Sequence, residues 1–218
     1  MLMSDDADRI RGLEEENARL RHLLQQGGMP SALRHQVRNA LGMMRAILRR
    51  SADNKSSVED LTAHLEGRFD ALLRVQTALL SSPDGRLDCA ALVADELLAA
   101  ALLDAPGVTL EGLSVRIDAH RAELLGLALH ELATNAVKFG AASVPGGRLA
   151  VSWSVSPSGL LTLSWVETGL PPRSGDEVVR RGFGMEVLEV MLPYQLKADS
   201  RVEMLTGQLR CTIVMAVS

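Results

Sequence analysis

One stretch limits the folds open to this chain. His130–Gly140, reading HELATNAVKFG, lies inside a segment that is otherwise strongly apolar. Polar side chains are costly to bury unless they are paired. At about 100° per residue, Glu131, Asn135 and Lys138 share one face of a helix, while Leu125, Leu129, Leu132, Ala133 and Ala136 share another. Such a helix needs a layer to cover its apolar side and an open space for its polar one.

The chain has 218 residues, 47% of them hydrophobic, enough for one large domain or two small ones with a real core. Aromatics are only 3%, so Leu, Val, Ala and Met must fill that core. A net charge of -4 offers no general attraction to nucleic acid or anionic lipid, and no nucleic-acid partner is expected. Cys89 and Cys211 read as small core residues in a reducing compartment. The longest apolar run, Cys89–Leu103, contains Asp95 and Glu96, so no membrane insertion is expected and the reading is a soluble, cytoplasmic protein.

Residues 5–26 place Ile10, Leu13, Asn17, Leu20 and Leu24 at alternating spacings of three and four. That is a heptad seam with Asn at an a position, which favours a parallel pair; its short length leaves a linker helix open. Gly27, Gly28 and Pro30 break it. A second helix, Ser31–Arg50, carries Leu33, Val37, Leu41, Met44 and Leu48 on one side, widened by Ala40 and Ile47. His35 falls nearly opposite, on a strip with Arg38, Asn39, Gly42, Arg45 and Arg49, and should be exposed there. A third helix opens on a capping box, Ser56 and Glu59, carries Val58, Leu61, Leu65, Phe69, Leu72 and Leu79, and stops before Ser81. Two such helices form an antiparallel hairpin that cannot bury both stripes alone. A second copy would close it into a four-helix bundle, although packing on the chain's own remainder is the alternative.

From residue 87 the rhythm changes. A helix over about Cys89–Leu103 precedes two short apolar segments, Val108–Leu110 and Leu113–Ile117. After the two-faced helix come period-two runs, Leu149, Val151, Trp153, Val155 and then Leu161, Leu163, Trp165, with Glu167 continuing the inward parity. A Gly/Pro-rich loop, Thr168–Gly182, leads to a helix of roughly Gly184–Leu192 and a closing hairpin, Arg201–Leu205 and Leu209–Val217. The fold class is therefore α+β: a helical hairpin followed by a sandwich in which helices cover one face of a mixed sheet. The expected domains are 1–28 as coiled coil or linker helix, 29–83 as the hairpin and 84–218 as the sandwich.

The order of HELATNAVKFG, WVE at a strand end and GFG at a helix start resembles the nucleotide-binding domain shared by histidine kinases, gyrase, Hsp90 and MutL (the GHKL type). More narrowly, His130, Trp165 and Glu167 resemble the three residues after which the HWE sensor histidine kinases are named. HQVRN at 35–39 is similar to that family's phosphoacceptor box. The resemblance covers residues 31–218. It implies ATP and Mg²⁺ as cofactors, His35 as phosphoacceptor, a homodimer through hairpin and coil, and an Asp on a response-regulator receiver domain as the next acceptor.

By the same resemblance Asn135 is the Mg²⁺ ligand, suited to an ion that takes few protein oxygens. Glu131, one turn earlier, would hold a bound water or accept a proton. Lys138 would meet phosphate or be a solvated helix end, and His130 would be a paired structural residue or a proton carrier. Glu167 stands where the superfamily has an Asp that accepts from the adenine amino group, with Trp165 as core beneath the base. Gly169 follows it, Gly182, Phe183 and Gly184 would bring backbone N–H groups to phosphate, and Arg181 is the lid arginine of choice. Leu170 replaces the second glycine usual after the Glu, which leaves the lid geometry open, and Gln36 replaces a basic residue. Two other readings remain: a phosphotransfer protein whose kinase-like domain no longer binds ATP, and an anti-sigma-type serine kinase, which would need neither the hairpin nor His35.

Overall fold

The computed structural model describes residues 11–19, 31–51, 58–171 and 183–217. The chain divides into two compact units, Met1–Phe69 and Asp70–Ser218. The first holds helix α1 (residues 11–19), α2 (Ser31–Ser51) and the first half of α3 (Val58–Leu80). On α2, Leu41, Met43, Ile47 and Leu48 are buried; of the expected exposed strip Arg38, Gly42 and Arg49 are exposed and Asn39 and Arg45 half-buried, while the His35 side chain lies outside what is described. Leu61, Leu65 and Phe69 of α3 are only half-buried, in keeping with a hairpin that lacks a complete cover. Asn17 has an intrachain partner, its amide donating to the Leu41 carbonyl at 3.2 Å, and Glu14 pairs with Arg49 at 3.1 Å. The breaks at Gly27, Gly28 and Pro30 and the cap at Ser56 lie outside the described residues.

The second unit takes in the rest of α3, then β1 (Arg86–Asp88), α4 (Cys89–Ala99), β2 (Val108–Gly112), β3 (Arg116–Asp118), α5 (Ala119–Phe139), β4 (Arg148–Val155) and β5 (Leu160–Thr168). It closes with α6 (Phe183–Glu186), a π-helical turn (Val187–Met191), α7 (Leu192–Leu196), β6 (Asp199–Leu205) and β7 (Gln208–Ala216). Five strands form one mixed sheet in the order β2-β4-β5-β7-β6, parallel only between β2 and β4. The alternation read from the sequence holds for Leu149, Val151, Trp153, Leu161, Leu163 and Trp165, all buried, but not for Val155 at the end of β4, which is 40% exposed; Cys211, Ile213 and Met215 of β7 are buried as well.

Two helix ends differ from expectation. α4 stops at Ala99 rather than Leu103, because Ala101 turns left-handed (φ 56°) and the Ala101 and Leu102 N–H groups return to the Leu98 and Leu97 carbonyls at 2.9 and 2.7 Å. That is a Schellman closure, sealed by buried Leu97 and Leu102 but made with alanine where glycine is usual, so the sequence carried no stop signal. The last helix runs on past Leu192 to Leu196, across Pro193. Pro193 has no N–H, and the Leu192 N–H bonds back to Val187, opening the π turn. The Leu188 carbonyl, left without a helical donor, accepts the Ser200 hydroxyl of β6.

The short β1–β3 pair was not foreseen, and it sets up both long helices of the unit. Its register opposes Arg86 to Asp118 and Asp88 to Arg116. Each strand ends in an Asp that caps the next helix: Asp88 accepts from Ala90 N–H at 2.9 Å, and Asp118 from Arg121 N–H at 2.9 Å. Burial pushes the Asp88 carboxyl up, but bonds from Ser114, Ala90 and Val115 outweigh it and hold the pKa below the ordinary value. With the unfolded pKa near 3.9, its stabilisation is complete above that pH and is lost as pH falls through the lower folded value. Asp88→Ala should therefore cost about 1 kcal/mol at neutral pH in urea unfolding, with the gap from wild type shrinking below about pH 4.

Candidate active site

α5 is the helix anticipated from HELATNAVKFG. Leu125, Leu129, Leu132, Ala133 and Ala136 are buried, and Asn135 and Lys138 are exposed. Glu131 lies on the polar face yet is buried. The start of α6 explains this, for Gly184 packs directly on it. A β-carbon at Gly184 would stand 3.1 Å from Glu131 Cβ and Oε2 and 3.4 Å from Asn135 Nδ2. The missing side chain lets the backbone after the loop close on the two polar residues, which unites three of the expected site positions. Phe183 is buried beside Gly184 and anchors the turn in the core. Arg181 and Gly182 lie outside the described residues.

Glu167 ends the inward row of β5 and is 2% exposed. Its Oε2 accepts the Ala141 N–H at 2.7 Å, just past the end of α5, and its Oε1 accepts the Trp165 indole N–H at 2.9 Å. The carboxylate thus ties the sheet to the C-terminal end of the site helix. Gly140 is required there, since a β-carbon would overlap Glu167 Oε2 and come within 2.7 Å of Ala136 Cα. Gly169 (φ 80°) faces the turn at Gly146–Gly147, where a β-carbon would stand 3.2 Å from Gly147 Cα. Leu170 is not among the described residues of positive φ, and its N–H donates to Gly207 at 3.1 Å, so a side chain is accommodated where the family pattern has glycine.

His130 faces away from this cluster. Its Nδ1 lies 3.6 Å from Glu96 Oε2, and Glu96, buried on α4, is held by Arg74 of α3 through two bonds of 2.6 and 3.2 Å. A charge taken out of water needs this kind of pairing, and the geometry matches the structural reading of His130. The neighbouring Asp95 carboxyl is pushed up by burial and by Glu96, with Arg74 opposing. Sequence reasoning missed Arg74 and Glu96, which are 22 residues apart and signalled only by an acid within an apolar helix. It also passed over Phe139, which stands four residues after Asn135 and is 71% exposed; in so aromatic-poor a chain an exposed Phe at a site was the available signal. A groove of about 900 Å³ lies by Val137, opposite Asn135 on the helix, and is lined by small residues such as Ala101, Gly107 and Ala142. It is separate from the polar cluster.

The family model for HWE histidine kinases matches residues 32–114. Among curated proteins, the chain is 34% identical over 151 residues to blue-light-activated histidine kinase 1 of Erythrobacter litoralis, covering 66% of this chain and 41% of that one. It is 31% identical over 164 residues to the blue-light-activated histidine kinase of Rhizobium johnstonii, covering 75% and 46%. The chain belongs to the HWE histidine kinase family. It spans less than half the length of these two relatives. A solved blue-light-activated histidine kinase from Erythrobacter litoralis superposes with a TM-score of 0.65 at 17% identity, over 88% of this chain and 62% of that one. The isolated histidine kinase domain of such a protein gives 0.58 at 16% identity, over 96% and 94%, so the α+β fold is that of histidine kinase domains.

In this member of the HWE family, the three positions that resemble its name-giving residues fall into two groups. Trp165 and Glu167 bond to each other at the helix end, whereas His130 belongs to the Glu96–Arg74 pair behind the helix. The phosphoacceptor candidate His35 lies on α2, in the other compact unit. Among the described residues no group of three or more His, Cys, Asp or Glu forms a metal cage, and no helix is long and apolar enough to cross a membrane. Arg74→Ala leaves Glu96 buried without its main partner and should lower the unfolding free energy by about 3 kcal/mol, read by denaturant melts. A loss below about 1 kcal/mol, the range of surface pairs, would contradict that account.

Proposed function

We propose that this chain is the kinase core of a two-component system, transferring the γ-phosphoryl group of ATP to its own His35 and from there to an Asp of a response-regulator receiver domain. The observation that carries it is the packing of Gly184 on Glu131 and Asn135, which gathers a neutral amide oxygen, a carboxylate and bare backbone at one helix face. Residues 29–83 serve as the phosphotransfer and dimerisation hairpin and residues 84–218 as the ATP-binding domain. A second copy covers the half-buried stripe of Leu61, Leu65 and Phe69.

The residues fit the ligands. Asn135 is exposed on the site face and offers the neutral oxygen that suits Mg²⁺, an ion that keeps most of its water and neutralises phosphate charge when bound. Lys138 meets phosphate charge from the same face. Phe139, exposed four residues after Asn135, provides a face on which a base stacks. Glu167 accepts from the adenine amino group through lone pairs not used by Ala141 and Trp165. Gly169 keeps the backbone close behind it, and Arg181, Gly182 and Phe183 belong to the approach over the phosphates.

Phosphoryl transfer needs in-line positioning and charge neutralisation more than covalent help. A nitrogen of neutral His35 bonds to the γ-phosphorus as the bond to the bridging oxygen breaks and ADP leaves. Glu131 is the carboxylate placed to take up a proton or hold a water. With γ-labelled ATP, wild type should acquire acid-labile, alkali-stable label, while His35→Ala and Asn135→Ala should fall to background. Label persisting in His35→Ala removes that residue as acceptor, and absence of ATP binding in wild type returns the phosphotransfer-module reading.

A further inference from the structure

The chain has two tryptophans, and their indole N–H groups are used differently. Trp153 on β4 donates to a backbone carbonyl, that of Leu113, at 2.7 Å, an ordinary way to satisfy a buried indole. Trp165 is fully buried, yet donates to the side-chain carboxylate two residues on, Glu167 Oε1, at 2.9 Å. Residues i and i+2 of a strand face the same side, so the indole edge can run alongside the carboxylate. On the other oxygen the Ala141 N–H donates at 2.7 Å, in the space kept clear by Gly140. With one donor on each oxygen and 2% exposure, the carboxylate cannot rotate without breaking two buried bonds.

We propose that Trp165 is a positioning residue for base recognition: its indole N–H fixes the Glu167 carboxylate in the orientation that accepts a hydrogen bond from the exocyclic amino group of a 6-aminopurine. This rests on the ATP-binding reading above. A carboxylate held as an acceptor favours a 6-amino group over a 6-keto group, whose oxygen lone pairs face it. Core packing by Trp165 affects every nucleotide alike, whereas orientation of Glu167 affects only that discrimination.

The test compares Mg–ATP and Mg–ITP on the full chain. A charge-assisted hydrogen bond supports roughly a 10- to 100-fold preference for ATP in wild type. Trp165→Phe keeps an aromatic ring but removes the donor. It should weaken ATP binding by about tenfold, within the range of one such bond, and leave ITP binding within about twofold, so that the preference collapses. Equal loss for both nucleotides, or an unchanged ratio, overturns the proposal. A second measurement needs no folded variant at position 165: on ¹⁵N-labelled wild type, with Trp153→Phe used for assignment, ATP should shift the Trp165 indole N–H resonance well beyond the shift that ITP produces. An indole signal that responds equally to both, or to neither at saturation, overturns it as well. Wild type that binds ATP without preferring it over ITP removes the Glu167–amino contact and this proposal with it, while wild type that binds neither removes the ATP reading itself.

Discussion

The absence of a side chain at Gly184 is the condition on which the site depends. A β-carbon at this position would stand 3.1 Å from Glu131 Cβ and Oε2, a tight contact, and 3.4 Å from Asn135 Nδ2. The close approach at Gly184 buries Glu131 while leaving Asn135 exposed beside it, so a single helix face carries a sequestered carboxylate and an accessible amide. The π turn that follows continues the constraint. Pro193 withholds a donor, the ladder slips by one residue, and Ser200 takes the Leu188 carbonyl, fastening the new helix to β6. The position of Gly184 over α5 is therefore held from the sheet side as well.

Buried charge supports the same helix at both ends of its polar stretch. At the start, Glu96 is bracketed by Arg74 and His130; at the finish, Glu167 is bracketed by Trp165 and Ala141. Neither carboxylate is a cheap source of stability, because desolvation offsets much of what pairing returns. What each supplies is a fixed orientation: one sets α5 against α3 and α4, the other against the sheet. This divides His130, Trp165 and Glu167 into a rear pin, His130, and a forward latch, Trp165 with Glu167.

Most of the architecture was legible because its signals are periodic. The 3.6-residue pattern marked α2, α3 and α5, and strict alternation marked β4 and β5 with an inward set, Glu167 included, that is buried except for Val155. What escaped lacks such a signal. α4 ends in a left-handed alanine at 101 where glycine would have announced a stop, and β1 is only three residues long. The continuation of the last helix through Pro193 was hidden because proline ordinarily ends helices. At the site, residue types pointed to Glu131, Asn135 and Glu167, but not to their surroundings. That Glu167 already accepts two internal bonds, and that Arg74 stands behind His130, depend on tertiary pairings that a sequence does not print.

The central claim is that Asn135, Glu131 and Gly184 form one Mg–nucleotide site, and paramagnetic relaxation tests it most directly. With Mn²⁺ replacing Mg²⁺ in the nucleotide complex of the ¹⁵N-labelled chain, the Asn135 side-chain amide and the Gly184 N–H should broaden first and most strongly. Broadening centred away from them, for instance on Ala101 and Gly107 along the groove by Val137, would contradict the site as described.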